Sequence, residues 1–288
     1  MREDFAVFIL THGRADRVKT VNTLLKRGYT GKWYIVLDNE DDSVGEYKKL
    51  YGDNVIVFDK LAISKTFDTA DLAGDRRTIV YARNASFEIA KQLGLTYFLE
   101  LDDDYTTFHF RKVKDNKFIQ VECKQLDRLF EDMLQFLDAS GALTVALAQG
   151  GDFIGGKDNA NFKKGLLRKA MNTFFCRVDR PFQFVGRVNE DVNTYVNLGM
   201  RGELLFTFTK ASIVQVSTQS SKGGMADMYL DSGTFAKSFY TVMYSPSSVT
   251  VAKMGSKHAR LHHRINWNAT TPLILSDRHK KGGRDEWR

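Results

Sequence analysis

The chain has two cysteines and three prolines in 288 residues, and each shortage excludes something. Cys123 and Cys176 are too few for a disulfide framework and lack the paired spacing of a zinc site, so both are expected in the core as small apolar residues. Three prolines argue against long extended linkers. Apolar runs are short as well, none approaching the ~18 residues that a membrane-spanning helix needs. Met1-Arg2-Glu3-Asp4 passes straight into a strand-like run with no signal-peptide cleavage pattern. A soluble, cytoplasmic protein with no membrane partner is the expectation.

What is present suffices for a large core: 43% of residues are hydrophobic and 12% aromatic. Phe5 to Leu10 reads as a buried strand, and Gly13-Arg14-Ala15-Asp16 opens a helical stretch with Val18, Val21, Leu24 and Leu25 on one face. Trp33 to Leu37 is a second strand ending at Asp38, and a short charged helix runs from Ser43 to Tyr51. A third strand (Asn54 to Phe58), a helix of about four turns ending near Gly94, and a strand from Tyr97 to Leu101 complete the first third. Such alternation implies right-handed βαβ crossovers and a largely parallel sheet, whose ligands sit beyond the carboxyl ends of the strands. The second half is less regular. A helix from about Lys124 to Ala139 and strands at Leu143 to Leu147, Thr173 to Val178 and Leu204 to Thr209 are expected. With no internal repeat and no low-complexity tract, this half reads as continuous with the first sheet.

One strand ends in an unusual way, because Thr96-Tyr97-Phe98-Leu99-Glu100-Leu101 runs directly into Asp102-Asp103-Asp104. Adjacent carboxylates repel one another, so their place at the mouth of an apolar strand makes best sense if a hard divalent cation is held there. Residues i and i+2 at a strand end project to the same side, so Asp102 and Asp104 can share one ion while Asp103 points elsewhere. In isolation the triplet reads better as an acidic solvated turn. Context favours the cation. Thr11-His12-Gly13-Arg14, Asp38-Asn39-Glu40 and the acidic triplet all fall at strand carboxyl ends, and an ordinary parallel sheet gathers them around one crevice.

Tyr81-Ala82-Arg83-Asn84-Ala85 lies in the helix just before that strand. An Ala-Arg-Asn helix, an apolar strand and Asp-x-Asp, in that order, resemble the donor half of nucleotide-sugar glycosyltransferases of the GT-A fold, especially family 2. The resemblance implies an α/β, GT-A (Rossmann-like) domain over residues 1–252, its mixed, mostly parallel sheet flanked by helices. A donor half of about 1–105, an acceptor half of about 106–252, and a basic, His-rich segment 253–288 packing on it or extending from it would follow. It also implies Mn2+ or Mg2+ on Asp102 and Asp104, bridging the diphosphate of UDP-glucose or another UDP-sugar. Donor contacts are implied for Thr11, Arg14, Asp38, Arg83, Asn84, Asp102 and Lys237. Arg14 suits a phosphate at a helix N-terminus and Asp38 a hydrogen bond from base or ribose, although capping and strand-end solvation explain either taken alone. Arg187-Val188-Asn189-Glu190-Asp191-Val192-Asn193 resembles the Glu-Asp pair that opens a helix in family 2 enzymes. By that resemblance Asp191 is the catalytic base of an inverting transfer and Glu190 a supporting or acceptor-binding residue. The competing reading is an acidic first helical turn that complements the helix dipole.

A narrower resemblance comes from the C-terminal third. Thr218-Gln219, Gly223-Gly224-Met225, Asp231-Ser232-Gly233-Thr234 with Lys237-Ser238, and His258-Ala259-Arg260-Leu261-His262-His263 resemble the TET-associated glycosyltransferases of bacteriophages. These are grouped with enzymes that glycosylate hydroxymethylated pyrimidines in DNA, which implies a DNA acceptor and, for a phage-encoded chain, the cytoplasm of an infected host. Charge is distributed accordingly. Lys253 to Arg288 holds nine Lys and Arg against three acids, hence six of the seven excess positive charges, with four of the six histidines. Phosphate contacts from such a segment would supply sequence-independent affinity. Trp267, Phe182 or Phe184 could support an extruded base, with burial in the core as the competing reading for each. His258 and His262 would share a helical face, and His262 is a candidate further metal ligand. The loop Ser220-Ser221-Lys222-Gly223-Gly224 has the make-up of a lid. Two other readings remain open: the same chemistry on a glycan, protein or small-molecule acceptor, or a non-catalytic nucleic-acid-binding protein on this fold.

Overall fold

The computed structural model describes residues 1–70, 76, 78–215, 226–254, 260–270 and 275–280, with 226–234 and 260 described by their backbone alone. Its first third repeats the alternation read from the sequence: β1 (Phe5–Leu10), α1 (Lys19–Lys26), β2 (Lys32–Asp38), α2 (Val44–Tyr51), β3 (Val55–Phe58), a short α3 (Lys60–Ser64), α4 (Val80–Gln92) and β4 (Tyr97–Asp102). There follow β5 (Tyr105–Lys114), β6 (Lys117–Glu122), α5 (Leu126–Ser140), β7 (Thr144–Ala148), α6 (Ala160–Lys164), β8 (Leu166–Leu167) and β9 (Phe174–Arg177). The chain continues through α7 (Glu190–Met200), β10 (Leu205–Gln215), α8 (Ala226–Tyr244), β11 (Val249–Met254), β12 (Arg260–Ile265) and α9 (Trp267–Thr270).

Ten strands make one sheet in the order β3-β2-β1-β4-β9-β7-β10-β5-β6, with β8 also paired to β10. β1 to β4, β7 and β10 run in one direction, while β9 lies antiparallel between β4 and β7. The α/β class and the mostly parallel strand direction are as expected. β1 shows why the sheet sits at the centre. All six of its residues are buried: Phe5, Val7 and Ile9 face a core layer with Leu24 of α1 and Phe130 of α5, and Ala6, Phe8 and Leu10 face a second layer with Ile89 of α4 and Val196 of α7. A strand covered by helices on both faces has no polar side, and each large apolar side chain buried there contributes roughly 1.5–3 kcal/mol. Cys123 and Cys176 are both buried and unbridged, as expected.

The structure corrects several details. Leu25, expected on the buried face of α1, is 53% exposed, because the chain reverses at Gly28 (φ 77°) and Tyr29 supplies the next buried side chain. The β5–β6 hairpin was absent from the sequence reading, although its two-residue turn, Asp115-Asn116, has the paired positive φ (49° and 57°) that Asp and Asn tolerate well. β11 and β12 pair antiparallel, so His262 and His263 stand on a strand rather than a helix, and the division expected between 252 and 253 falls inside β11.

Candidate active site

The carboxyl ends of β1, β2 and β4 are neighbours by register, Leu10 lying beside both Val36 and Asp102. The three polar clusters that follow these strands therefore meet. Asp103 is almost wholly buried: its side chain accepts from Thr11 Oγ1 (2.5 Å) and pairs with Arg14 Nε (3.2 Å). Its carbonyl accepts from the N–H groups of Lys19 and Thr20 (2.8 and 3.1 Å), so it caps α1, whose own N-cap residue Val18 offers no side-chain bond. Thr11 Oγ1 also bonds the Tyr47 hydroxyl (2.8 Å), which accepts from the Arg14 backbone N–H (2.9 Å). Asp103 thus anchors structure, leaving Asp102 and Asp104 as the pair at the strand mouth.

Beside them lies a cleft of about 190 Å³ lined by Thr11, His12, Arg14, Asp38, Lys60 and Glu190, among others. Asp38, buried at the end of β2, bonds His12 Nδ1 (3.0 Å) and Lys60 Nζ (3.2 Å). The hydrogen bond to Asp38 holds the His12 imidazole above its ordinary range. Lys60 and Arg187 also reach this cleft and were not singled out from the sequence. For Lys60 the available signal was its position just past the end of a parallel strand, as for Thr11 and Asp38.

Arg83, expected at the donor, is the hub of a buried cluster of carboxylates. It is 2% exposed, and its guanidinium donates to Glu190 Oε1 (3.1 Å), Glu100 Oε2 (3.3 Å) and Asp102 Oδ1 (3.2 Å), with Phe174 stacked 4.7 Å from its Cζ. Burial opposes its charge, but Asp102, Glu190 and Glu100 together hold its pKa above the usual arginine value. Three carboxylates on one cation leave an excess of negative charge. Burial drives Glu100 to about 8, and burial with crowding by Asp104, Glu190 and Asp103 drives Asp102 to about 7. Asn84 likewise has a structural assignment, exchanging two hydrogen bonds of 2.9 Å with the backbone of Phe184.

Glu190 and Asp191 open α7 as expected. The preceding Asn189 takes a left-handed φ of 54°, and its side chain bonds α8 through the Lys237 carbonyl (2.7 Å) and Thr241 Oγ1 (3.2 Å) instead of capping α7. Asp191 is raised to about 6, first by burial and then by Glu190, with Arg83 and Lys237 opposing. Lys237 therefore sits within electrostatic reach of the Asp191 carboxylate.

Two oxygen-donor side chains at i and i+2, Asp102 raised by burial and by Asp104, and Asp104 raised by burial and by Asp103, suit a hard cation whose remaining positions would be filled by phosphate oxygens and water. Among the described residues no three His, Cys, Asp or Glu side chains form a metal-holding group. His262 therefore does not complete a shell with Asp102 and Asp104; β12 packs on α8, with the His262 ring 4.1 Å from that of His263. Phe184 is fully buried in the core, Phe182 is partly buried against it, and Trp267 is 43% exposed, stacked on Tyr195. His258 and the loop 220–224 lie outside the described residues, as do the motifs at 218–219 and 223–225.

The family model of TET-associated glycosyltransferases matches residues 5–224. Curated protein sequences gave no match. Among solved structures, glucosyl-3-phosphoglycerate synthase from Mycobacterium tuberculosis with Mg2+ and UDP is similar at 9% identity and a TM-score of 0.48, over 92% of this chain and 90% of that one. The same enzyme with Mn2+, UDP and phosphoglyceric acid gives 10% identity and a TM-score of 0.47, over 94% and 88%.

Proposed function

The chain belongs to the TET-associated glycosyltransferases, and from that membership we propose a metal-dependent, inverting transfer of a sugar from a UDP-sugar to a hydroxymethylated pyrimidine base in phage DNA. One observation carries the reading: the buried Arg83 joins the acidic strand end at Asp102 to the start of α7 at Glu190, and Glu190 lines the same cleft as Thr11, His12 and Arg14.

In this reading Asp102 and Asp104 hold Mn2+ or Mg2+, whose charge offsets that of the departing nucleoside diphosphate. Arg14, Lys60 and His12 face the cleft with the donors that a diphosphate and ribose need, while Asp38 fixes His12 and Lys60 in place. Asp191 accepts the proton of the acceptor hydroxymethyl group as its oxygen attacks the anomeric carbon from the face opposite the diphosphate. Lys237 keeps part of the negative charge on Asp191, and Glu190, held by Arg83, fixes the first turn of α7. The family description and the net charge of +7 support the DNA acceptor.

The test is direct. Purified protein, Mn2+, a panel of UDP-sugars and DNA carrying hydroxymethyluracil or hydroxymethylcytosine should yield a mass increment of one sugar per modified base. Turnover on small-molecule or glycan acceptors with no transfer to either DNA would reassign the acceptor.

A further inference from the structure

We propose that the open face of the β5–β6 hairpin is a docking surface for duplex DNA, laid along the sheet edge that leads away from the acidic strand end. The inference rests on the DNA acceptor proposed above and assigns it a surface.

Residues 111–117, Arg-Lys-Val-Lys-Asp-Asn-Lys, carry four cations and one acid. The register places Phe110 opposite Val121, Lys112 opposite Ile119 and Lys114 opposite Lys117. Side chains alternate along a strand, so these six share one face. Lys112, Lys114 and Lys117 are exposed, and so are Phe110 (40%) and Val121 (43%). The opposite face is covered only in part, at Arg111, which bonds Ser212 Oγ (2.9 Å) and stacks over Phe153 (4.5 Å) beside the Phe118, Phe153 and Phe162 cluster, while Val113 is 48% exposed. Lys114 and Lys117 face one another directly. Like charges opposed across a strand pair are destabilising unless an anion lies between them. Among the described residues none of these three lysines forms an ion pair.

Position favours a nucleic acid over a small anion. β5 starts at Tyr105, immediately after Asp104, and its ten residues extend roughly 30 Å at 3.3 Å each, the length of about nine base pairs. A duplex on this edge would reach from the basic tip to the crevice holding Asp102 and Asp104. The described end of the basic tail is less suited. Ser276 N–H bonds the Gly202 carbonyl (3.3 Å), and Arg278 and His279 already pair with Glu203. Lys280 is paired with Asp277.

The experiment compares wild type with a Lys112→Gln/Lys114→Gln/Lys117→Gln variant and with a Lys281→Gln/Arg284→Gln tail variant. A fluorescent 24-base-pair duplex containing hydroxymethylcytosine is titrated by anisotropy between 50 and 200 mM salt. The hairpin variant should bind at least tenfold more weakly and lose about 2–3 from its log–log salt slope, while the tail variant keeps wild-type affinity. Its Tm and Mn2+-dependent UDP binding should equal those of wild type, since these lysines are exposed and outside the cleft. Unchanged duplex affinity overturns the surface, as does self-association on size exclusion at unchanged affinity, which would make the lysines guards of an open sheet edge. If wild type itself binds no duplex at 50 mM salt, the DNA acceptor falls first and the surface with it.

Discussion

Arg83 Nε donates to Glu190 Oε1 across 3.1 Å, joining two helices whose residues stand 107 positions apart in the chain. The same guanidinium donates to Asp102 (3.2 Å) and to Glu100 (3.3 Å). A planar fork with five donors can serve three carboxylates at once, in fixed directions that a lysine ammonium does not reproduce. The proposed metal carboxylate and the helix bearing the proposed base thus share a single buried counter-ion.

Replacing Arg83 should expose that dependence. Arg83→Met leaves Glu100, Asp102 and Glu190 without their cation and should cost about 3–5 kcal/mol, the usual consequence of breaking a buried pair on one side. Arg83→Lys keeps the charge but not the fork, so an intermediate loss is expected. Urea denaturation at pH 7.5 gives both values; a midpoint unchanged in Arg83→Met would mean that the cluster is neutral and uncoupled.

The acidic pair should behave in the opposite sense. Asp102 is raised to about 7 in the folded chain from an ordinary 3.8, so its charged form costs stability, a cost that appears as pH rises above 3.8 and is complete above about 7. Asp102→Asn removes that charge and leaves an oxygen for Arg83. At pH 8 with EDTA the variant should be at least as thermostable as wild type. Addition of Mn2+ and UDP should raise the Tm of wild type but not that of Asp102→Asn or Asp104→Asn. A ligand-induced Tm rise in either variant equal to that of wild type would remove the pair from the metal site.

The first hundred residues were legible because strand-helix alternation and polar strand ends are local patterns, and the crevice they imply is present. The role of Arg83 was not legible in the same way. Its helix was identified, but which groups it meets depends on a contact with Glu190 made far along the chain. One signal was available: Glu100, a carboxylate inside an otherwise apolar strand, demands a buried cation. His262 was misplaced for a different reason, since the i, i+4 spacing of His258 and His262 suits a helix, whereas alternating Leu261 and His263 on β12 pair with β11.

Gly186 should tolerate no side chain. Its φ is +84°, and an added Cβ would collide with Asn193 Nδ2 and lie 2.7 Å from the Tyr244 ring. Asn193 Nδ2 ties the loop to α7 by donating to the carbonyls of Val185 (3.1 Å) and Val188 (2.9 Å). Backbone strain and overpacking together predict a loss of about 2–4 kcal/mol for Gly186→Ala. Thermal unfolding would show it, and a loss below about 0.5 kcal/mol would mean that the loop relaxes freely.

Acidification should silence the enzyme earlier than an ordinary aspartate would allow. An unperturbed aspartate stays charged down to about pH 4, but burial and Glu190 raise Asp191 to about 6. The proton acceptor must be ionised to act, so kcat/KM for the acceptor should be flat above pH 7 and fall tenfold per pH unit below about 6. Asp191→Asn removes the base at every pH, and a loss of about 10²–10⁴ in kcat with UDP affinity retained is expected. The two results must agree: residual activity of the variant should show no inflection near pH 6. If the inflection persists in Asp191→Asn, the titrating group is another, and Glu190, the neighbouring carboxylate on the same helical turn, becomes the residue to replace next.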